Sequence, residues 1–244
     1  MGAACTYSAD VTVSAILLDA GGVLVFPQSD VMLPPLLSAG VTPDMDTLRR
    51  AHYRAMSVQD RLDGPEPQPD TWWRDYLVEY VTACGVADGS CERLAKEMSL
   101  AIVSFGWTDV GPQVAEDLRA IATLGLPLGV VSNSDGTVQA ELHRLGVCSV
   151  DDGAGVRVGV VLDSAVVGIA KPDPGIFRIA LERLGVPADE TVLHVGDSLR
   201  YDVAGARAAG IRPVHLDPYG FCPAPADHSH ITSLADLPEL ICTA

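Results

Sequence analysis

With 244 residues, 48% hydrophobic and 20% charged, the chain carries enough apolar material for one large domain or a core with a smaller companion. Thirty-two acidic residues against sixteen basic ones give a formal net charge of −16. The resulting field repels polyanions and argues against nucleic acid or an anionic membrane as a partner.

A small anionic substrate would need a local positive site. Of the sixteen basic residues only Lys96 and Lys171 are lysines, so each draws attention. No run reaches the roughly eighteen uninterrupted apolar residues of a membrane span, and the amino terminus lacks the basic start and long apolar run of a secretory signal. The six cysteines (Cys5, Cys84, Cys91, Cys148, Cys222, Cys242) are scattered, without CxxC pairs or nearby histidines at metal spacing. They read as reduced thiols of a cytoplasmic protein.

In chain order, Val13-Ser-Ala-Ile-Leu-Leu-Asp19 has the continuity and branched content of a strand buried on both faces, and Gly21-Gly22 bends the chain as it leaves. Asp19 would then stand at the carboxyl end of a central strand, where open α/β sheets bind ligands. A turn-opening aspartate is the plainer reading of this residue alone. Phe26-Pro27 marks a break. Residues 28–106 follow with helical periodicity and no convincing strand: Leu48, Ala51, Ala55, Val58, Leu62; then Trp73, Leu77, Tyr80, Val81, Cys84; then Leu94, Met98, Ala101, Phe105. The proline-rich stretch 64–69 separates the second helix from the third.

From residue 107 helix and strand alternate. A stripe at Val114, Leu118 and Ile121 precedes a strand over 126–132, and a helix carrying Val138, Leu142 and Leu145 stops at Gly146. A valine-rich stretch, 156–168, leads to a helix over 174–184, a strand over 191–195, a helix over 202–209 and a strand over 213–216. This alternation predicts an α/β fold, a Rossmann-like parallel sheet covered on both faces in three layers, α/β/α. Residues 1–27 and 107–244 would form that core. Residues 28–106 would form an α-helical cap inserted after the first strand, placed to act as a lid over the strand ends.

Three later stretches each supply a different part of one kind of site. Val130-Val-Ser132-Asn133-Ser134 ends a strand in small polar groups able to hold an anion's oxygens, although such residues after a strand usually form a turn. Lys171-Pro172-Asp173-Pro174 holds the one lysine of the α/β part between rigid neighbours, as a point charge for a phosphate or a partner for a carboxylate. His194-Val-Gly196-Asp197 puts a second carboxylate at a strand end, with Asp202 five residues on, where a helix cap is the bland reading. Converging carboxylates, a backbone carbonyl and waters make an oxygen-only site suited to Mg²⁺.

Together these stretches resemble the haloacid dehalogenase superfamily, mostly phosphatases. Asp19-Ala-Gly-Gly-Val-Leu matches the nucleophile loop, Ser132-Asn133 the second motif, Lys171-Pro-Asp-Pro the third, and Gly196-Asp197 through Asp202 the fourth. The resemblance implies a Mg²⁺-dependent phosphatase acting on a small phosphorylated metabolite, with sugar phosphates among the candidates. Asp19 would attack phosphorus and become an aspartyl phosphate. The metal set would be Asp19, the Gly21 carbonyl, Asp197 and Asp202, with Asp202 orienting a metal-bound water or Lys171. Ser132, Asn133 and Lys171 would hold the phosphoryl oxygens.

One position departs from the pattern. Most phosphatases of the superfamily carry a general acid two residues after the nucleophile, and here that residue is Gly21. Losing such a group costs about 10²–10⁴ in rate. A non-hydrolytic member that binds a phosphorylated ligand or protein partner is therefore the alternative reading. A phosphonatase, which would need Lys96 as its cap lysine, and a metal-free dehalogenase fit less well. Arg49, Arg50, His52, Tyr53, Arg54, Trp72, Trp73 and Arg74 are the candidate substrate contacts of the cap.

Overall fold

Four consecutive residues without exposed surface, Ala15–Leu18, form β1, which lies between two other strands and is covered on both faces. Such a position admits only apolar side chains, and Ala-Ile-Leu-Leu supplies them. The structure, a computed structural model, describes residues 6–7, 11–61, 69–223 and 227–242. Cys5, Leu62 and most of the proline-rich stretch 64–69 fall outside the described residues.

Next along the chain come β2 (Val25–Pro27), α1 (Ser29–Ser38), α2 (Met45–Gln59), α3 (Pro69–Ala83), α4 (Asp88–Phe105) and β3 (Trp107–Val110). Then follow α5 (Val114–Ala122), β4 (Leu128–Ser132), α6 (Val138–Arg144), β5 (Val160–Asp163), α7 (Pro174–Leu184) and β6 (Val192–Gly196). The series closes with α8 (Ala204–Ala209), β7 (Arg212–Leu216), β8 (Ser229–Ile231) and α9 (Leu237–Cys242). Six strands form one sheet in the order β8-β7-β6-β1-β4-β5, every pair parallel, so all six carboxyl ends lie on one edge. On one face, Ile176, Phe177, Ala180 and Leu181 of α7 and Ala206 and Ala209 of α8 pack against Leu17, Val131, Val160 and Val192 of the strands. The α/β sheet with flanking helices is the expected core.

The chain divides into two compact units, one of residues 1–24, 110–218 and 224–244, the other of residues 25–109 and 219–223. The second unit differs from the expected insertion at its edges. β2 pairs with β3, so Phe26-Pro27, read as a break, belongs to a short strand. Proline is tolerated there because a two-stranded ribbon leaves each strand one unpaired edge. Residues 219–223 belong to this unit because the Tyr219 hydroxyl donates to Asp46 Oδ1 at 2.8 Å and the Arg50 guanidinium sits 5.2 Å from the Phe221 ring centre.

Leu48, Ala51, Ala55, Leu77, Tyr80, Val81, Leu94 and Met98 form the interior of the helical unit, as their spacing predicts. The unit also holds α1, which the sequence reading did not single out because it contains Pro34 and Pro35, residues that ordinarily break a helix. Several residues expected to face substrate serve this unit's own packing. His52 is buried with its Nδ1 2.9 Å from the Tyr76 hydroxyl, Trp72 stacks on Tyr76, and Trp73 packs against the same core. Tyr53 is buried, Arg49 lies 3.9 Å from Asp46, Arg50 and Arg54 lie over the Phe221 ring, and Arg74 pairs with Glu92 at the surface. Among the described residues no helix is long and apolar enough to cross a membrane.

Candidate active site at the carboxyl edge of the sheet

Asp19 follows directly on β1, and its backbone N–H still donates to the Val195 carbonyl of β6 at 2.8 Å. Its position is therefore fixed by the ladder rather than by a loop. The next N–H, that of Ala20, donates to Asp19 Oδ1 at 2.7 Å, and Gly22 then takes the left-handed turn with φ 71°. Gly21 is not among the positive-φ glycines.

Lys171 reaches Asp19 from the segment before α7. Asn133 places it: the Asn133 amide nitrogen donates to the Lys171 carbonyl at 2.9 Å, and the Lys171 N–H donates to Asn133 Oδ1 at 2.7 Å. Asn133, expected beside the phosphoryl oxygens, thus uses both amide atoms to clamp the lysine's backbone. The Lys171 ammonium, its side chain 1% exposed, donates to Asp19 Oδ1 at 2.8 Å and to Asp202 Oδ1 at 2.7 Å. Asp173 caps α7 through the Gly175 N–H, and Pro174 starts that helix where no N–H is needed.

Asp202 is not the cap of its helix. That cap is Ser198, whose hydroxyl accepts from the Tyr201 N–H at 3.1 Å. The turn Leu199–Val203 is wider than an α-turn, with the Val203 N–H donating back five residues to the Ser198 carbonyl, and it turns Asp202 inward. There Asp202 packs over Gly196, where any Cβ would overlap its side chain. Asp202 Oδ1 takes Lys171 and the His194 Nε2–H at 2.8 Å, and Oδ2 accepts the Ser198 N–H at 3.1 Å. Expected as a metal ligand or an orienting group, Asp202 in this geometry anchors the lysine, with both oxygens engaged by protein donors.

The buried carboxylates of Asp19, Asp197 and Asp202 can each offer an oxygen within 4.8 Å of the others. Burial pushes the Asp19 pKa up to about 7, the neighbouring carboxylates of Asp202 and Asp197 add to this, and Lys171 opposes it. Burial works against the charge of Lys171 too, but the carboxylates of Asp19 and Asp202 outweigh it and lift the lysine to about 12. Burial would also raise Asp202, yet Lys171 and the His194 hydrogen bond hold it well below the usual carboxylate range. Three carboxylates share one ammonium, so the ionised cluster has two negative charges in excess. The missing charge and the all-oxygen donor set fit one Mg²⁺.

Ser132 ends β4 in register with Asp163 of β5 and is buried. Asp163 shapes the loop that follows Ser132: its carboxylate accepts from the N–H groups of Gly136 at 2.9 Å, Val138 at 3.3 Å and Ala165 at 3.0 Å. The fold brings Asp19, Ser132, Lys171, Asp197 and Asp202 to one edge of the sheet. The parts played by His194 and Asp163 were not read from sequence. His194 is buried, and burial lowers its pKa, so it serves Asp202 as a neutral donor. Its one sequence signal was a polar residue inside an otherwise apolar strand.

The chain matches known proteins over most of its length. The family described as hydrolase, haloacid dehalogenase-like hydrolase, matches residues 13–210. Haloacid dehalogenase-like hydrolase domain-containing protein 3 of Homo sapiens is 35% identical over 179 residues, covering 70% of this chain and 68% of that protein. The phosphoserine phosphatase of Thermus thermophilus is 36% identical over 129 residues, 53% of this chain and 49% of that protein. The chain thus spans about half to two thirds of the length of these curated relatives. The crystal structure of 2-haloacid dehalogenase from Pseudomonas syringae pv. Tomato DC3000 shares the fold, with a TM-score of 0.53 at 23% identity over 95% of this chain and 99% of that one. With four motifs on one sheet edge and a family match over most of its length, the chain belongs to the haloacid dehalogenase-like hydrolases.

Proposed function

We propose that the protein is a Mg²⁺-dependent phosphomonoesterase acting on a small phosphorylated metabolite through an aspartyl phosphate on Asp19. One observation carries this reading: Asp19 is buried at a strand end, tied to Lys171, with Asp197 and Asp202 close by. A dehalogenase with no metal would have no use for the two excess negative charges. The phosphatase name of the Thermus relative supports the same reaction class.

Bound to Asp19, the Gly21 carbonyl and Asp197, Mg²⁺ would supply positive charge opposite the phosphoryl oxygens. An Asp19 carboxylate oxygen attacks phosphorus as the bond to the leaving oxygen breaks. Water then attacks the same phosphorus and releases inorganic phosphate, restoring Asp19. Lys171, held by Asn133 and Asp202, offsets charge on the transferring group, and the Ser132 hydroxyl orients it. Gly21 provides no proton for the leaving oxygen, so that proton comes from water. This favours substrates whose leaving group departs readily, such as acyl phosphates or anomeric sugar phosphates. Cys84, Cys91 and Cys148 are buried free thiols, which supports a cytoplasmic setting.

The test is phosphate release from a panel of phosphorylated metabolites and one activated aryl phosphate, with Mg²⁺ and with chelator. Release should require Mg²⁺, and Asp19→Asn should reduce it to background while keeping the fold. Gly21 is not among the glycines with positive φ, so Gly21→Asp does not force a side chain into the left-handed backbone. It should raise turnover of unactivated alkyl phosphates by about 10² or more, and leave the aryl phosphate nearly unchanged. No release from any substrate by folded protein would favour a binding role instead.

A further inference from the structure

A second group of potential ligands lies on β7, two strands from β1, and on β8 together with the residue just before it. His215 and His230 are register partners on these adjacent parallel strands, so their side chains emerge side by side on one face. His228 lies two residues before His230. Three ring nitrogens converge: His215 Nδ1 is 3.3 Å from His230 Nε2 and 3.2 Å from His228 Nε2.

The hydrogen bonds on the far sides of two rings fix what those nitrogens carry. His215 Nε2 lies 3.1 Å from the Asp197 carbonyl, and His230 Nδ1 lies 3.1 Å from the His228 carbonyl. A carbonyl only accepts, so each ring has its single N–H on that side. The inward nitrogens, His215 Nδ1 and His230 Nε2, are then both lone pairs, facing each other at a distance where neither can donate. A hydrogen from His228 can serve one of them, not both. Two lone pairs aimed at one point are what a shared electrophile satisfies. Ring N–H groups anchored on carbonyls are also the usual outer support of metal-bound histidines.

The spacing fits a particular class of ion. Zinc–nitrogen bonds of about 2.0–2.1 Å in tetrahedral geometry put the ligand nitrogens roughly 3.3–3.4 Å apart, close to the 3.2 and 3.3 Å measured here. We propose that His215, His228 and His230 form a binding site for a divalent transition-metal ion of the zinc class. The donors are all imidazole, which suits Zn²⁺, Co²⁺ or Ni²⁺ rather than Mg²⁺. The site is thus chemically distinct from the carboxylate cluster, although the Asp197 backbone touches both.

The test uses the full chain, stripped with chelator and then loaded with Zn²⁺ in excess Mg²⁺, so that the carboxylates are already occupied. After desalting, elemental analysis should find about one zinc per chain, and Co²⁺ in its place should give the visible bands of a tetrahedral ion. The double variant His228→Ala/His230→Ala should retain less than about a tenth of that zinc, and its melting temperature should no longer rise on adding Zn²⁺. Circular dichroism in zinc-free buffer checks its fold, and the milder His228→Gln, which should weaken zinc at least tenfold, serves if the double variant is unstable. Wild-type protein that retains no zinc, or variants that retain as much as wild type, would overturn the site. Neither result bears on whether Asp19 hydrolyses phosphate esters.

Discussion

A lysine ammonium with 1% of its side chain exposed stays charged only if carboxylates answer it, and Lys171 has two within 2.8 Å. Removing Asp202 leaves that charge with one partner and leaves His194 without its acceptor. Asp202→Ala should therefore destabilise the protein by about 3–5 kcal/mol, read as a lowered midpoint in urea. The sign of the pH dependence follows from the depressed Asp202 pKa. Its stabilisation is present above the ordinary carboxylate pKa of about 4 and is lost as pH falls below it. The gap between wild type and Asp202→Ala should accordingly narrow in acid. An unchanged gap at low pH would mean that the loss comes from packing rather than charge. At this scale the sequence displayed the acids and the lone lysine plainly, because strand ends and scarcity single them out. The work of Asn133 and His194 was hidden, since it consists of hydrogen bonds to residues 38 and 8 positions away.

Strands and helices show why some elements could be read and others not. α7 runs over the residues its stripe and flanking Pro174 and Gly185 define, because periodicity and both end signals agree. The stretch 202–209 has a helical stripe too, but its first turn is a wider π-turn, which leaves no periodic mark. That turn depends on Gly196 at the end of β6. A methyl group there would occupy the space of the Asp202 side chain, whose neighbours on the other side are Lys171 and His194. Gly196→Ala should cost about 1–3 kcal/mol in urea denaturation, the typical penalty of overpacking. It should also lower phosphatase turnover, since Lys171 loses its anchor while Asp19 remains in place. Stability and turnover equal to wild type would show that Asp202 can move without consequence. The histidine group escaped sequence reading for a related reason: residues 215 and 230 become neighbours only through the pairing of β7 with β8.

For the molecule as a whole, the net charge of −16 acts on every ion that approaches. Its reach depends on salt, with a Debye length of about 30 Å at 0.01 M and about 10 Å at 0.1 M. A phosphorylated substrate is repelled by this field, whereas Mg²⁺ is drawn in. Screening should therefore act on the two ligands in opposite directions. At saturating Mg²⁺, kcat/KM for an anionic phosphate ester should rise severalfold between about 10 and 200 mM salt, more steeply for a bisphosphate than for a monophosphate. Over the same range the Mg²⁺ concentration giving half-maximal activity should increase. If kcat/KM instead falls with salt, the potential felt by substrate is positive near the site. The ammonium of Lys171 and whatever cations lie close to it would then outweigh the sixteen surplus acids.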